Sequence, residues 1–280
     1  MIGICTDSNS QLPPQLAGRF GVEIVPITVI VDDREFLEGV DLDADGFYAF
    51  FTDTHQPAVT TTHPSPGQFA LAYDNLAERG CTQILSIHVG STANGTINAA
   101  RLAAHNSPVP VRLVDSGTAS FGVSCCVWAA AEAIAGGASL DQAATLAESL
   151  APRIGSVFIV GALDLVQSSR RTKESLEGEG IAVLTLRNGN IEVLERVMSV
   201  ADAVNSMAHF VLGWGQRLNL AVGTADLKGA PISKALAQAV GESANVIEVV
   251  HYRIGPSVGA HTGPGSAGCF VFPAGPGYLR

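Results

Sequence analysis

Apolar residues along this chain follow two rhythms. Short apolar runs bounded by small polar residues alternate with stretches that repeat at the helical period. Ile2-Gly3-Ile4-Cys5-Thr6 reads as a first strand, closed by Asp7-Ser8-Asn9-Ser10, whose side chains favour a turn and a helix cap. Residues 22–31 read as extended, with Pro26 placing their first part at a sheet edge. Asp32-Asp33-Arg34-Glu35 turns this segment back toward Phe36-Leu37 as a hairpin. Ser65 and Gln68 have capping-box spacing with Pro66 at the first helical position, and Phe69, Ala72, Tyr73 and Leu76 follow on one helical face up to Gly80. The run from Thr82 to Ile87 is a buried strand and that from Ile97 to Ala104 a helix. Val109–Val114 is a further strand, an apolar helix starts near Ser120, and a second capping box at Ser139 and Gln142 opens a helix to about Leu150. This alternation predicts a parallel α/β sheet.

The pattern changes after Ile154. Ser156–Val160 is a strand, and Asp164 to Lys173 a short helix or loop. Ala182–Leu186 and Ile191–Leu194 flank Arg187-Asn188-Gly189-Asn190, a type I′ hairpin signal. A helix from Ser199 toward Trp214, a strand at Leu218–Val222, a helix over Ile232–Val240 and a strand at Val246–Val250 complete the series. Hairpins mixed with helices predict a two-layer α+β domain. The expected division is residues 1–155, with a hairpin insertion near 22–40, and residues 156–280.

Candidate chemistry centres on Ile87-His88-Val89-Gly90-Ser91-Thr92-Ala93-Asn94-Gly95-Thr96. A strand, a small-polar loop and a helix start expose backbone N–H groups to which the helix dipole adds positive potential. Hydroxyls of Ser91, Thr92 and Thr96 add donors, so the loop suits a carboxylate or phosphate. The same residues equally suit plain helix capping. Thr60-Thr61-Thr62 forms a second hydroxyl-rich loop before the next cap. Polar loops at Asp7-Ser8, Thr60–Thr62, Ser91 and Asp115-Ser116 all fall at C-terminal strand ends, where open α/β sheets bind ligands.

Composition narrows the classes. Hydrophobic residues make up 47% of 280, enough for a large core, and the formal charge of −10 disfavours nucleic acid. Five scattered cysteines without a C-x-x-C pair favour a reduced, cytoplasmic setting. The N-terminus has no basic region of a signal peptide. The stretch from Ser116 to Leu140 carries only Glu132 but is broken by glycines, a buried helix and not a stable membrane insertion. The histidines show no metal-ligand spacing, so no metal is expected. Gly263-Pro264-Gly265-Ser266-Ala267-Gly268 spells G-x-G-x-x-G, but too little chain follows it for a dinucleotide-binding βαβ unit, and no P-loop is present. Ser91, Asp115 and His261 occur in α/β-hydrolase order, yet Val89-Gly90-Ser91-Thr92-Ala93 is not G-x-S-x-G. A serine hydrolase or acyl-transfer enzyme using Ser91 is therefore the rival class. His261, in a Gly-rich turn, reads as a structural hydrogen-bonder or as a functional group. Arg170-Arg171-x-Lys173 reads as a solvated basic turn.

Together these segments resemble the DegV family of bacterial fatty-acid-binding proteins. The resemblance rests on Thr6-Asp7-Ser8, Thr61-Thr62-His63-Pro64-Ser65, Gly90-Ser91-Thr92-Ala93-Asn94-Gly95-Thr96, Val114-Asp115-Ser116 and Gly259-Ala260-His261-Thr262-Gly263-Pro264-Gly265. It implies an α/β protein of two domains, an N-terminal three-layer parallel-sheet domain and a C-terminal two-layer α+β mixed-sheet domain. A long-chain fatty acid would lie between them, its carboxylate bound by Thr61, Thr62, Ser91, Thr92 and His261 and supported by Gly90, Asn94, Gly95, Thr96 and Arg170. The resemblance further implies no cofactor besides that ligand, no catalytic residue, and a separate fatty-acid kinase that phosphorylates the carboxylate. A lipid carrier or sensor without a kinase is the other non-enzymatic reading. Departures from the family pattern are Ser168-Ser169-Arg170 for Gly-Gly-Arg, Leu184-Thr185-Leu186 for a basic-Pro pair, Asn94 for Ser and His63 for Gln.

Overall fold

In a computed structural model, which describes residues 1–168, 178–187 and 190–275, the predicted alternation is laid out in chain order. It runs β1 (Ile2–Asp7), α1 (Pro14–Phe20), β2 (Glu23–Val25), β3 (Thr28–Val31), β4 (Arg34–Leu37), α2 (Ala44–Tyr48), β5 (Val59–Thr62), α3 (Pro66–Glu78), β6 (Gln83–His88), α4 (Thr96–Ala104), β7 (Val111–Asp115), α5 (Phe121–Ala135) and α6 (Leu140–Leu150). It continues with β8 (Gly155–Ile159), α7 (Leu163–Ser168), β9 (Ile181–Arg187), β10 (Asn190–Val197), α8 (Val200–Leu212), β11 (Leu218–Thr224), α9 (Ala230–Gly241), β12 (Val246–Arg253), α10 (Pro256–Thr262) and β13 (Ala267–Pro273). Two compact units result: residues 1–41 with 59–152, and residues 42–58 with the described residues from Arg153 onward.

In the first unit a parallel sheet has the order β2-β1-β6-β7. β2 is an edge strand, as Pro26 at its end requires, since proline has no N–H to give a central ladder. Side chains alternate between the two faces. Cys5 and Ile84 pack with Phe69, Ala72, Tyr73 and Leu76 of α3 and Ala99, Ala100 and Ala103 of α4. α5 and α6 pair with each other and cover the opposite face. α5 is buried along most of its length, which explains its unbroken apolar sequence. No helix among the described residues is long and apolar enough to cross a membrane. Both predicted capping boxes form, Ser65 with Gln68 on α3 and Ser139 with Gln142 on α6.

The predicted hairpin is β3–β4. Its loop is Asp32-Asp33 alone, with φ of 46° and 64°, the left-handed pair that a two-residue type I′ turn needs. Thr60–Thr62 depart from expectation. They form the body of β5, antiparallel to β3 with Thr61 beside Val29, and not a loop. Three consecutive β-branched residues fit a pleated strand better than a turn, and β3 supplies the neighbouring ladder.

In the second unit the sheet order is β10-β9-β8-β13-β11-β12, antiparallel throughout except for parallel β11 and β12. β9 and β10 pair as the Asn-Gly signal predicts, with Arg187 opposite Asn190. α8 and α9 cover one face, with a core of Val157, Ile159, Met207, Leu220, Leu236 and Val271 among others. α7 adds a smaller cluster against Phe158 and Leu184. β13 was not expected from the sequence, yet it lies inside the sheet between β8 and β11. The G-x-G-x-x-G spelling thus leads from a helix into an antiparallel strand, the reverse of a dinucleotide turn. Gly263 and Gly265 have positive φ, and a Cβ on the facing Gly161 would lie 1.8 Å from the Pro264 carbonyl oxygen, so these glycines serve a close backbone approach.

The expected division placed residues 42–58 in the first domain; the structure groups them with the second unit. The cause is aromatic packing. Phe47 and Tyr48 of α2 are buried, their rings 5.1 Å apart edge to face, with Phe51 5.4 Å from Phe47. They press on Gly259 of α10, where a Cβ would meet the Tyr48 hydroxyl at 2.6 Å. Arg253 adds an ion pair with Asp45 at 2.6 Å. The Arg253 guanidinium donates to that carboxyl and holds it below the usual carboxylate range.

Candidate functional site

The parallel register of β1 and β6 sets Thr6 beside Ile87, which places Asp7 and His88 next to one another on the α3-facing side of the sheet. Both are fully buried. The Asp7 carboxylate accepts from His88 Nδ1 at 3.0 Å, from the Val89 amide at 3.1 Å and from the Asn9 amide at 3.1 Å. A carboxylate only accepts, so Nδ1 carries a proton, and in the neutral imidazole Nε2 accepts from Ser86 Oγ, 2.6 Å away. The Tyr73 hydroxyl, 3.0 Å from Ser86 Oγ, then donates to it. Tyr73, Ser86, His88 and Asp7 form one directed, satisfied chain through an otherwise apolar core. Burial pushes the Tyr73 hydroxyl well above its ordinary range, so it stays a donor. Asp7, His88 and Ser86 mimic a hydrolase triad in composition only, because Ser86 is wholly buried and a nucleophile must face substrate.

This chain anchors the strand end from which the candidate loop departs. The loop's backbone donors are fewer than the sequence suggests. The Val89 amide is held by Asp7, Gly90 donates to the Thr118 carbonyl at 2.8 Å, and Ser91 donates to both Asp115 oxygens at 3.2 Å. Ala93 donates to Gly90, and Thr96 to the Asn94 side chain at 2.9 Å. The amides of Thr92, Asn94 and Gly95 remain without an acceptor among the described residues. Ser91 and Thr92 are exposed, whereas the Thr96 hydroxyl is buried and unpartnered among the described residues. These groups cluster at the N-terminus of α4, where the helix dipole favours negative charge.

β5 is brought to the same place. His63, directly after Thr62, lays its ring against Gly95, where an added Cβ would lie 2.9 Å from Cδ2 and 3.0 Å from Nε2. A side chain at Gly95 would push the exposed His63 ring aside. Thr61 and Thr62 lie on opposite faces of β5, Thr61 half-buried and Thr62 exposed, and neither hydroxyl is engaged among the described residues. Within the first unit the end of β5 thus meets the start of α4 through His63 and Gly95.

His261 lies in the second unit, in the last turn of α10 and not in the expected Gly-rich turn, which begins only at Gly263. Arg170 lies outside the described residues. Asp115 accepts from the amides of Ser91 and Gly117 and so acts as a turn acceptor.

A sequence model of the DegV family, described as one of uncharacterised proteins, matches residues 1–274. This chain belongs to the DegV family. A DegV domain-containing protein from Streptomyces coelicolor is 33% identical over 276 residues, covering 96% of this chain and 98% of that one. A solved structure described as fatty acid binding of a DegV family protein from Thermus thermophilus is 28% identical, with a TM-score of 0.85 over 98% of this chain and 99% of that one. The fold is also similar to that of DegV from Bacillus subtilis, described as a fatty acid binding protein, at 21% identity and a TM-score of 0.83 over 98% of this chain.

For this DegV chain the buried Asp7–His88–Ser86–Tyr73 line was missed in the sequence. A signal was present: Ser86 and His88 stand two apart in the apolar strand Gln83–His88, so they share a face that otherwise reads as core. What the sequence could not supply was the neighbour, since Asp7 is far away in the chain and adjacent only through strand order.

Proposed function

We propose that this DegV chain binds a long-chain fatty acid and presents its carboxylate to a separate kinase. The observation that carries the reading is the set of free donors at the start of α4 in the first unit. The Ser91 and Thr92 hydroxyls and the Thr92, Asn94 and Gly95 amides stand at the start of α4 with no internal acceptor among the described residues, and β5, with Thr61 and Thr62 on its two faces, ends against that loop through His63. Gly90 and Thr96 shape that loop. His261 and Arg170 join the proposed head-group set through the family resemblance alone. The description of the Thermus thermophilus relative as fatty acid binding supports the ligand class.

The physics suits an acyl carboxylate. Apolar contact contributes about 0.8 kcal/mol per buried methylene, so the chain supplies most of the affinity. Neutral donors orient the head group without neutralising it, which leaves the oxygen nucleophilic toward a phosphoryl donor. Native mass spectrometry and organic extraction of the purified protein test the ligand: an acyl carboxylic acid is expected. A protein that stays empty when offered medium- to long-chain fatty acids overturns the reading. Hydroxylamine trapping of an acyl phosphate, formed with ATP and a partner kinase, tests the presentation step. A fluorophosphonate probe tests the hydrolase alternative, which predicts labelling at Ser91 that is lost in Ser91→Ala.

A further inference from the structure

β11, α9 and β12 form a parallel strand–helix–strand unit at one edge of the second unit's sheet, with β12 outermost. The register sets His251 beside Val222 and Arg253 beside Thr224. Val222 belongs to the core under α8 and α9, so His251 points to that helix-covered face. Between α9 and this edge lies a cleft of about 460 Å³, with Ala230, Lys234, Ala237 and Gln238 on one wall and Thr224 and His251 on the other. That volume is of small-molecule size.

The polar groups in the cleft fall into two sets. Thr224 Oγ1 donates to the Asp226 carbonyl, and Ser233, which also lines the cleft, donates to the carbonyls of Gly223 and Gly229. Those hydroxyls are spent. Lys234, Gln238 and His251 have no hydrogen-bond or ion-pair partner among the described residues. Lys234 and Gln238 stand one helical turn apart on the same face of α9, and both, like His251, are exposed. Among the described residues no acidic side chain lines the cleft. Glu248, on the same strand, pairs in register with Asn219 and so points to the other face, and Asp45 is held by Arg253. In a chain of net charge −10, an ammonium, an imidazole and a carboxamide line one cleft that carries no acidic side chain among the described residues.

We propose that this cleft binds a small anion, a carboxylate or phosphate group on a compact apolar body. Lys234 supplies charge, Gln238 and His251 supply N–H donors, and the methyls of Ala230 and Ala237 supply the apolar contact. The site is independent of the fatty-acid reading, because its residues are all in the second unit and none belongs to the proposed head-group set.

The test is NMR titration of the full chain with benzoate, inorganic phosphate and the neutral isostere benzamide. Saturable shifts centred on Ser233 and His251 are expected with benzoate, and weaker ones with inorganic phosphate, which lacks the apolar body; tighter binding of phosphate overturns the apolar part of the proposal. Lys234→Met, at an exposed position and with its stem kept, is expected to weaken anion binding roughly tenfold while fatty-acid content is unchanged. Absence of saturable shifts with both anions overturns the proposal. So do shifts that benzamide reproduces or that Lys234→Met leaves unaltered.

Discussion

Asp7 is the residue on which the first unit's polar interior depends. It accepts three N–H groups, and its removal leaves an imidazole and two amides without an acceptor inside a dry core. Asp7→Ala is expected to cost about 3 kcal/mol, in the range for stranding buried polar groups. Tyr73→Phe is expected to cost only about 1 kcal/mol, because Ser86 still donates to His88 when the phenol is gone. Hydrogen exchange at Ile87 and Val89 reads both, with the larger loss of protection in Asp7→Ala. At the proposed head-group site, Ser91→Ala and Thr61→Ala should each lower fatty-acid affinity roughly tenfold with folding intact, as for one hydrogen bond to a charged group. His261→Ala should reduce acyl phosphate formation by a larger factor than it reduces binding. Equal effects on the two would make that histidine structural.

At the scale of elements, local chemistry places the ends and long-range contact places the bodies. Ser65 and Gln68 satisfy each other's backbone donors at the start of α3, with Ser65 N–H to Gln68 Oε1 at 2.8 Å and Gln68 N–H to Ser65 Oγ at 3.3 Å. Ser65→Ala should cost about 1 kcal/mol, measured by denaturant unfolding, and should loosen the link between α3 and β5. The turn carrying Pro264 obeys a different constraint. Gly161→Ala puts a methyl against the Pro264 carbonyl, an overlap that no rotamer relieves. A loss of about 3 kcal/mol or more is expected, with the damage confined in hydrogen exchange to β8, α10 and β13. These two variants separate what a short segment decides for itself from what its distant neighbour decides for it.

For the whole molecule, thiol chemistry gives a global readout. All five cysteines are buried thiols outside any disulfide. Burial pushes the Cys126 and Cys269 thiols up to about 12 and Cys5 higher still. The attacking species is the thiolate, so these groups stay protonated and shielded at neutral pH. The native protein is expected to resist a maleimide at pH 8 and to take up five equivalents once unfolded in denaturant. Labelling of Cys126 or Cys269 in the native state would mean that α5 or β13 opens far more readily than their packing implies.

The sequence by itself determined what depends on near neighbours. Hydrophobic period, capping boxes at Ser65 and Ser139, the paired aspartates of the β3–β4 turn and the Asn-Gly signal between β9 and β10 are local instructions, and each was legible. So was the loop at Ser91, because a strand, small polar residues and a helix start are contiguous. Only the tertiary structure decided which strands are neighbours. Strand order put His88 beside Asp7, turned Thr60–Thr62 from a loop into β5 by giving them β3 as a partner, and drew β13 into the middle of a sheet. Aromatic packing on Gly259 assigned residues 42–58 to the second unit against their position in the chain. Such outcomes turn on contacts between residues distant in sequence, whose free energy is realised only after the chain has closed the loops between them.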